Sequence, residues 1–530
     1  VGNQDTAAAM RFHNRSKYNW SLDDAGRRVE FMGEPLDIGP QIGEQEPALE
    51  PVPFKVYTNL DLLPLPADFP EGPVGALEAI SATGPVTGET GVLDLSALAR
   101  LLQLSNGILK RGSHRPGGRE IEYRTSGGTG ARYHLELYVV CGDLPDLSAG
   151  VYHYDAKAHG LRQLRAGDYR AVLVHASGGE PAVAQAPATI LLTSTFWRNA
   201  WRYLERAYRH TFWDSGTTLT NLLAVSASAN LPAELVLGFV DTDVNGLLDI
   251  DGQREAATAL VAIGSGSPVG ETSPAVTPLG LPTQRISPAE IDFPRIWEMQ
   301  AASSLTSADA VRDWRGGPVR HPLPPAGGPV IPLTPLDPAD WPSKSIDAVI
   351  RGRRSTRHYT EEPIPFAALS TLLDVSTRGV AGDCLDPSVG SLHDTYLIVN
   401  AVEGLEPGAY VYHRDERALE LLRPGNFRGM ATDLACEQEY AGAAHVNLYC
   451  LTNLEPVLAR FGNRGYRLAQ LEAALWASKL HIATHGLGLG AVGSTSFDND
   501  VIRFFSPHAA GKSYMFILTF GQKAKRLQSA

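Results

Sequence analysis

Apolar positions in this chain recur with two periods, and the order in which the periods alternate occurs twice. A helical spacing at Leu95, Leu98, Leu101, Leu102 and Leu104 gives way to Arg124-Thr-Ser-Gly-Gly-Thr-Gly130, whose glycines predict a loop, and then to strand-like alternation over 133–139. Gly150-Val-Tyr-His-Tyr154 and Leu161-Arg-Gln-Leu-Arg165 predict a hairpin, residues 188–193 a further strand, and 201–229 one long helix that is largely apolar in its second half. A final strand is expected at 515–520.

The second half repeats the first at a constant spacing of 258 residues (150 to 408). Gly150-Val-Tyr-His-Tyr154 matches Gly408-Ala-Tyr-Val-Tyr412, and Leu164, Arg165, Gly167 and Arg170 match Leu422, Arg423, Gly425 and Arg428. Far downstream, Arg202, Arg206, Tyr208, Arg209 and Asp214 meet Arg460, Arg464, Tyr466, Arg467 and Glu472 in the same register. The expected organisation is an ordered arm over 1–75, a first domain over 76–263, a Pro/Gly-rich wrapped linker over 264–345 and a second domain over 346–523. Short helical patches at 296–299 and 308–314 predict that the linker docks.

Composition narrows the function classes. At 530 residues, 43% hydrophobic and 20% charged, the chain has ordinary globular content. A net charge of −12 argues against a nucleic-acid footprint and against attraction to anionic membranes. No apolar run approaches a membrane span, and the first residues lack a secretory pattern. Four cysteines without metal or redox spacing read as buried thiols in a reducing compartment, and the expected location is cytoplasmic.

Against that acidic background stands Arg351-Gly-Arg-Arg-Ser-Thr-Arg-His-Tyr-Thr360. Guanidinium forks at Arg353, Arg354 and Arg357 with the Ser355 hydroxyl suit a terminal phosphate, which takes charge-assisted bonds from several directions. Other constellations carry less. Gly488-x-Gly490-x-x-Gly493 has dinucleotide-fingerprint spacing but follows a helix instead of a strand. Asp241-x-Asp-x-Asn-Gly246 opens like a calcium loop but has Gly252 where the twelfth-position acid belongs; Phe497-Asp-Asn-Asp500 in the other copy suggests a shared structural turn. His481 and His485 have zinc spacing without a third ligand, so no metal is expected.

Arg353-Arg-Ser-Thr-Arg357, continued by Leu369, Leu372, Leu373 and Asp386-Pro-Ser-Val-Gly-Ser-Leu-His393, resembles the FMN-phosphate motif of nitroreductase-fold flavoproteins. The similarity is greatest to the SagB-type branch, whose best-known members oxidise azoline rings in modified peptides. It covers roughly 346–523, with a weaker version in the first half. The resemblance implies an α+β fold, each half an antiparallel sheet wrapped by helices, and FMN held in a subunit interface. A fused tandem then becomes an intramolecular pseudo-dimer with two possible sites, either monomeric or weakly homo-oligomeric.

Residue by residue, the resemblance implies a phosphate clamp of Arg353, Arg354, Ser355 and Arg357, supplemented by Lys523. It brings the backbone of Gly490, Ala491, Val492 and Gly493 to the flavin N5 edge. Ser126, Gly127 and Gly128 of the first copy would close over that flavin, and Pro387, Ser388 and Gly390 would face the first copy's clamp. That clamp reads Ala82-Thr-Gly-Pro85 and contains no cation, so one FMN per chain is expected. Arg202 and Tyr203 fall where the SagB-type branch has a catalytic Lys-Tyr pair, with Tyr208 nearby; arginine stays protonated and cannot serve as general base.

The function implied is an FMN-dependent oxidoreductase acting on a peptide or small natural-product intermediate. An NAD(P)H-dependent nitro or quinone reductase and a flavin-binding scaffold without turnover are the alternatives.

Overall fold

In the computed structural model, residues 2–22, 28–32, 46–82, 84, 86, 90–112, 120–316, 323–324, 326–385 and 390–524 are described. They form two antiparallel seven-stranded sheets with the same strand order. The first runs Ala233–Val236, Glu255–Ile263, Ala188–Thr195, Leu135–Cys141, Gly150–Asp155, Gly160–Ala166 and Leu62–Pro64. The second runs Gly490–Ser494, Ser513–Gly521, Val446–Thr452, Asp394–Val399, Gly408–His413, Ala418–Pro424 and Val330–Pro332. The expected duplication is therefore present strand for strand. Segments outside the repeat supply one edge strand in each sheet: Leu62–Pro64 pairs with Gly160–Arg162, and Val330–Pro332 with Ala418–Glu420.

Two long helices, Ala207–Ser228 and Arg464–Gly486, cross at the centre and join the halves. At the crossing a side chain on Gly216 would stand 2.6 Å from Ala474 Cβ, so only hydrogen lets the backbones meet there. Gly216 and Ala474 are repeat partners, which puts the pseudo-twofold axis at this contact. Both helices are buried nearly all round, which explains their weak amphipathicity. The halves also exchange backbone bonds reciprocally: Ala76 N–H donates to Lys344 O (2.9 Å) and Ile346 N–H to Val74 O (3.1 Å). One hydrophobic core runs through both.

The single helix expected over 201–229 is instead two. Phe196–Tyr203 ends at Leu204, in the left-handed region at φ 52°, before a 3₁₀ turn leads into Ala207–Ser228. The repeat partner of Leu204 is Gly462, at φ 63°, between Leu454–Phe461 and Arg464–Gly486. The second copy thus uses glycine for a turn that the first makes with a strained leucine, and the apolar periodicity hides the break.

Arginines beyond each break build the interface. Arg206 and Arg209 of the first copy bind Asp498 of the second, with Arg206 Nη1 2.9 Å from Asp498 Oδ2. Arg464 and Arg467 of the second copy bind Asp241 of the first, at 2.6 and 2.9 Å. Asp241 and Asp498 open equivalent short helices, Asp241–Leu247 and Asp498–Phe505, so the structural-turn reading accounts for both. The linker helix Pro294–Ala302 and the arm helix Ala7–Arg15 cover this region, and Phe12 packs edge-on to Tyr208 and Tyr466.

Candidate flavin-phosphate site between the copies

The arginine segment leaves the short helix Ile346–Gly352 and runs beside the edge strand Gly490–Ser494. Thr356 N–H donates to Ala491 O (2.9 Å), and Ser355 pairs with Ala491 as an isolated parallel bridge. Farther along, Thr360 N–H donates to Gln522 O, and Tyr359 pairs with Lys523. The backbone therefore brings Arg353, Arg354, Ser355, Arg357, Gly490, Ala491 and Lys523 to one place, with Val492 and Gly493 continuing the strand. Gly490 is required by contact: a Cβ there would lie 2.2 Å from Thr356 Oγ1. Any side chain would push the arginine segment away.

The other wall belongs to the first copy. Arg353 crosses the interface and donates from Nη2 to Thr125 O (2.8 Å), and a Cβ on Gly127 would stand 3.6 Å from its Nη1. The loop carrying Ser126, Gly127 and Gly128 is fastened from behind. Thr217 Oγ1 donates to Gly127 O (2.7 Å), Thr129 N–H to Asp214 (2.9 Å), and Ser126 Oγ to Asn106 Oδ1 (3.2 Å). Asp214 is itself held by buried His134, whose other ring nitrogen meets Ser194 Oγ at 2.9 Å.

Charge in this place is one-sided. Among the described residues no carboxylate pairs with Arg353, Arg354 or Arg357; Arg354 donates to the carbonyls of Arg351 and Arg353, and Arg357 lies over the Tyr440 ring. Burial, reinforced by Arg354 and opposed by Tyr133, pulls the Arg353 guanidinium down to about 10. His481 and His485, one helical turn apart, complete the wall. Burial and then Arg353 hold His485 down to about 3 and His481 well below its usual range, so both rings are neutral at physiological pH. His485 Nε2 lies 3.0 Å from Arg354 O, while buried His481 Nε2 has no hydrogen-bond partner. Cations without counter-charge, a free serine hydroxyl and an orphaned buried ring nitrogen are a donor set that suits a phosphate-bearing ligand such as FMN.

Of the three residues expected to be catalytic, Arg202 and Tyr203 stay together and Tyr208 parts from them. Tyr203 is half-buried, and its hydroxyl lies where a Cβ on Gly130 would clash at 2.4 Å, so it abuts the closing loop; Arg202 sits beside its ring at 5.7 Å. Burial raises the Tyr203 phenol above its usual value, and Arg202 opposes that rise. Tyr208 is fully enclosed and donates to Gln300 Oε1 (3.0 Å) on the linker helix, away from the arginine segment. Its surroundings are those of a packing residue. Pro387 and Ser388 lie outside the described residues. Gly390, expected to face the first copy's clamp, lines a small cleft with Gly379, Val380 and Trp476.

Sequence reasoning weighed His481 and His485 as metal ligands or as packing histidines, and passed over Thr125 and Asn221. Asn221 Nδ2 donates to Thr125 O (3.3 Å), the carbonyl that also takes Arg353. The available signal was the spacing of the two histidines on a helix leading into the Gly490 strand.

This fold and interface define a duplicated α+β protein whose two halves pack about a pseudo-twofold axis. The chain belongs to the nitroreductase family, whose profile matches residues 125–265 and 350–522, more than half of its length. A crystal structure of a protein described as a nitroreductase from Anabaena variabilis is similar over 98% of this chain and 99% of its own, with a TM-score of 0.75 and 25% identity. A protein of Methanocaldococcus jannaschii named as a nitroreductase is 27% identical over 163 residues, 30% of this chain and 82% of that protein.

Proposed function

We propose that this nitroreductase-family oxidoreductase is FMN-dependent, with one flavin per chain whose phosphate is held by Arg353, Arg354, Ser355 and Arg357, with Lys523 alongside. The carrying observation is the meeting of an acid-free arginine cluster from one copy with the Ser126-Gly127-Gly128 turn of the other. Bound FMN supplies two-electron chemistry; the chain supplies binding, orientation and a shielded surface. Gly490 to Gly493 bring backbone close to the site without side-chain bulk, and the first copy's loop excludes water from above. Tyr203, with its phenol raised by burial, keeps its proton at neutral pH and acts as a donor; Arg202 holds it from beside without accepting protons.

The substrate is a small molecule or a peptide intermediate, as in the SagB-type branch. A nitro or quinone reductase would be marked by NADH or NADPH bleaching the bound flavin.

The test is flavin retention. Wild-type protein reconstituted with FMN should hold close to one equivalent, and Arg354→Ala with Arg357→Ala should bind it roughly a hundredfold or more weaker, since each charge-assisted bond is worth about 1.5–3 kcal/mol. Both side chains are exposed, so circular dichroism should be unchanged. Full flavin in the double variant, or two equivalents in wild type, overturns the assignment.

A further inference from the structure

The pseudo-twofold creates a second interface position, opposite the arginine cluster, and it is a pocket. It lies between the helix Ala76–Ser81, the central helix Ala207–Ser228 and the second copy's segment 379–381, and is open to solvent on one side. Its wall is apolar: Ile80, Leu223, Ala227, Leu231 and Val380. Among the described residues one charged side chain lines it, Lys479, which is 4% exposed.

Comparison through the repeat shows how this wall arose. Leu223 and Ala227 stand where the other site has His481 and His485, while Lys479 stands where the other site has Asn221. Cations have vanished from the clamp side of the pocket, and one has appeared on the facing side. Such a replacement is costly unless it is used, because an ammonium in apolar surroundings without a counter-ion is strongly disfavoured. Lys479 Nζ donates to Gly379 O (2.7 Å) and has no carboxylate partner among the described residues. The charges that act on it are those of Arg378 and Arg414, which deepen the deficit.

We infer that this pocket is a binding site for an apolar monocarboxylate, its carboxylate paired with Lys479 and its hydrocarbon part among Ile80, Leu223, Leu231 and Val380. A carboxylate provides the missing counter-charge and accepts the remaining N–H donors, while the wall offers its tail only dispersion and desolvation. A phosphate dianion is a poor occupant, since a single lysine faces it where the other site offers three guanidiniums. A carbonyl compound condensing with the amine would need proton transfers, and among the described residues no carboxylate or imidazole lines the pocket to assist them. The inference goes beyond the flavin assignment and does not depend on it.

The experiment is calorimetric titration of the full chain with benzoate and with hexanoate, using benzyl alcohol and hexanol as uncharged counterparts. Carboxylates should bind saturably at one site per chain, and the alcohols about tenfold or more weaker, in line with the contribution of a charged hydrogen bond. Lys479→Met, close in volume, should reduce carboxylate affinity by a similar factor, and Ala227→Trp should abolish binding by filling the pocket while leaving the lysine. Repeating the titration in the Arg354→Ala, Arg357→Ala background separates this site from the arginine cluster, and affinity should be unchanged there. Absence of saturable binding, equal binding by Lys479→Met, or loss of binding in the arginine double variant overturns the inference.

Discussion

Replacing Asp498 with asparagine removes one negative charge from a place where two positive ones are buried. Arg206 and Arg209 are each 0% exposed and Asp498 is 1% exposed, so water cannot take over the lost role. The Asp498 carboxylate accepts Arg206 Nη1 at 2.9 Å, Arg209 Nη1, and the backbone N–H of Tyr18 at 3.0 Å. Asparagine keeps the shape and one acceptor but leaves two guanidiniums uncompensated across the interface. Breaking a buried pair by removing one partner costs about 3–5 kcal/mol, and that is the loss expected for Asp498→Asn in urea unfolding at pH 7. Asp241→Asn should cost a similar amount through Arg464 and Arg467.

A combined Arg206→Met, Arg209→Met, Asp498→Leu variant should recover most of the stability, since it replaces the whole charged group with apolar volume. The contribution is also pH-dependent. Burial alone would raise the Asp498 carboxyl, but Arg206 and Arg209 outweigh it and hold the group below its ordinary value. Its stabilisation is therefore complete above about pH 4 and lost as pH falls through the lower folded-state value. An Asp498→Asn protein within about 0.5 kcal/mol of wild type, the range of neutral surface changes, would refute the reasoning.

Two further outcomes follow. Burial pulls Lys479 from 10.5 to about 7, so below pH 7 both folded and unfolded chains carry its proton and the fold bears the full cost, up to about 5 kcal/mol; between pH 7 and 10.5 the folded chain sheds a proton the unfolded chain keeps, and stability rises. Lys479→Met should gain most over wild type at pH 6 and little at pH 10 in denaturant titrations, and a gain independent of pH would count against it. Gly490→Ala inserts a Cβ 2.7 Å from Thr356 Cβ; overpacking of this kind costs about 1–3 kcal/mol, and flavin titration should show weaker FMN binding with secondary structure intact.

The repeat made the two halves, their strand order and the shared Asp241 and Asp498 turn legible, because duplicated residues at constant spacing report a common fold. The arginine cluster was legible because its members are adjacent in sequence and convergent on one strand edge. The break at Leu204 was not, since leucine in the left-handed region leaves no mark in an apolar period and only its partner Gly462 betrays it. The enclosure of Tyr208 was not legible, because the groups that bond its hydroxyl, Gln300 and Ser303, come from a linker 92 to 95 residues away. Lys479, His481 and His485 share one helix, yet Lys479 faces one interface pocket and the histidines the other; that division is set by how the helices cross, which no local pattern contains.

The crossing at Gly216 and Ala474 has a genetic consequence. In an assembly of two identical chains every substitution is made twice, once on each side of the axis, so a change that suits one pocket is imposed on its mirror. Here each codon is read into one side alone. Asn221 can remain an amide while Lys479 becomes a cation, and a glycine at the axis can meet an alanine. Because both halves travel on one polypeptide, each meets its counterpart at an effective concentration on the order of millimolar whatever the dilution of the protein, and the two interface pockets are free to diverge without the pairing ever being put at risk.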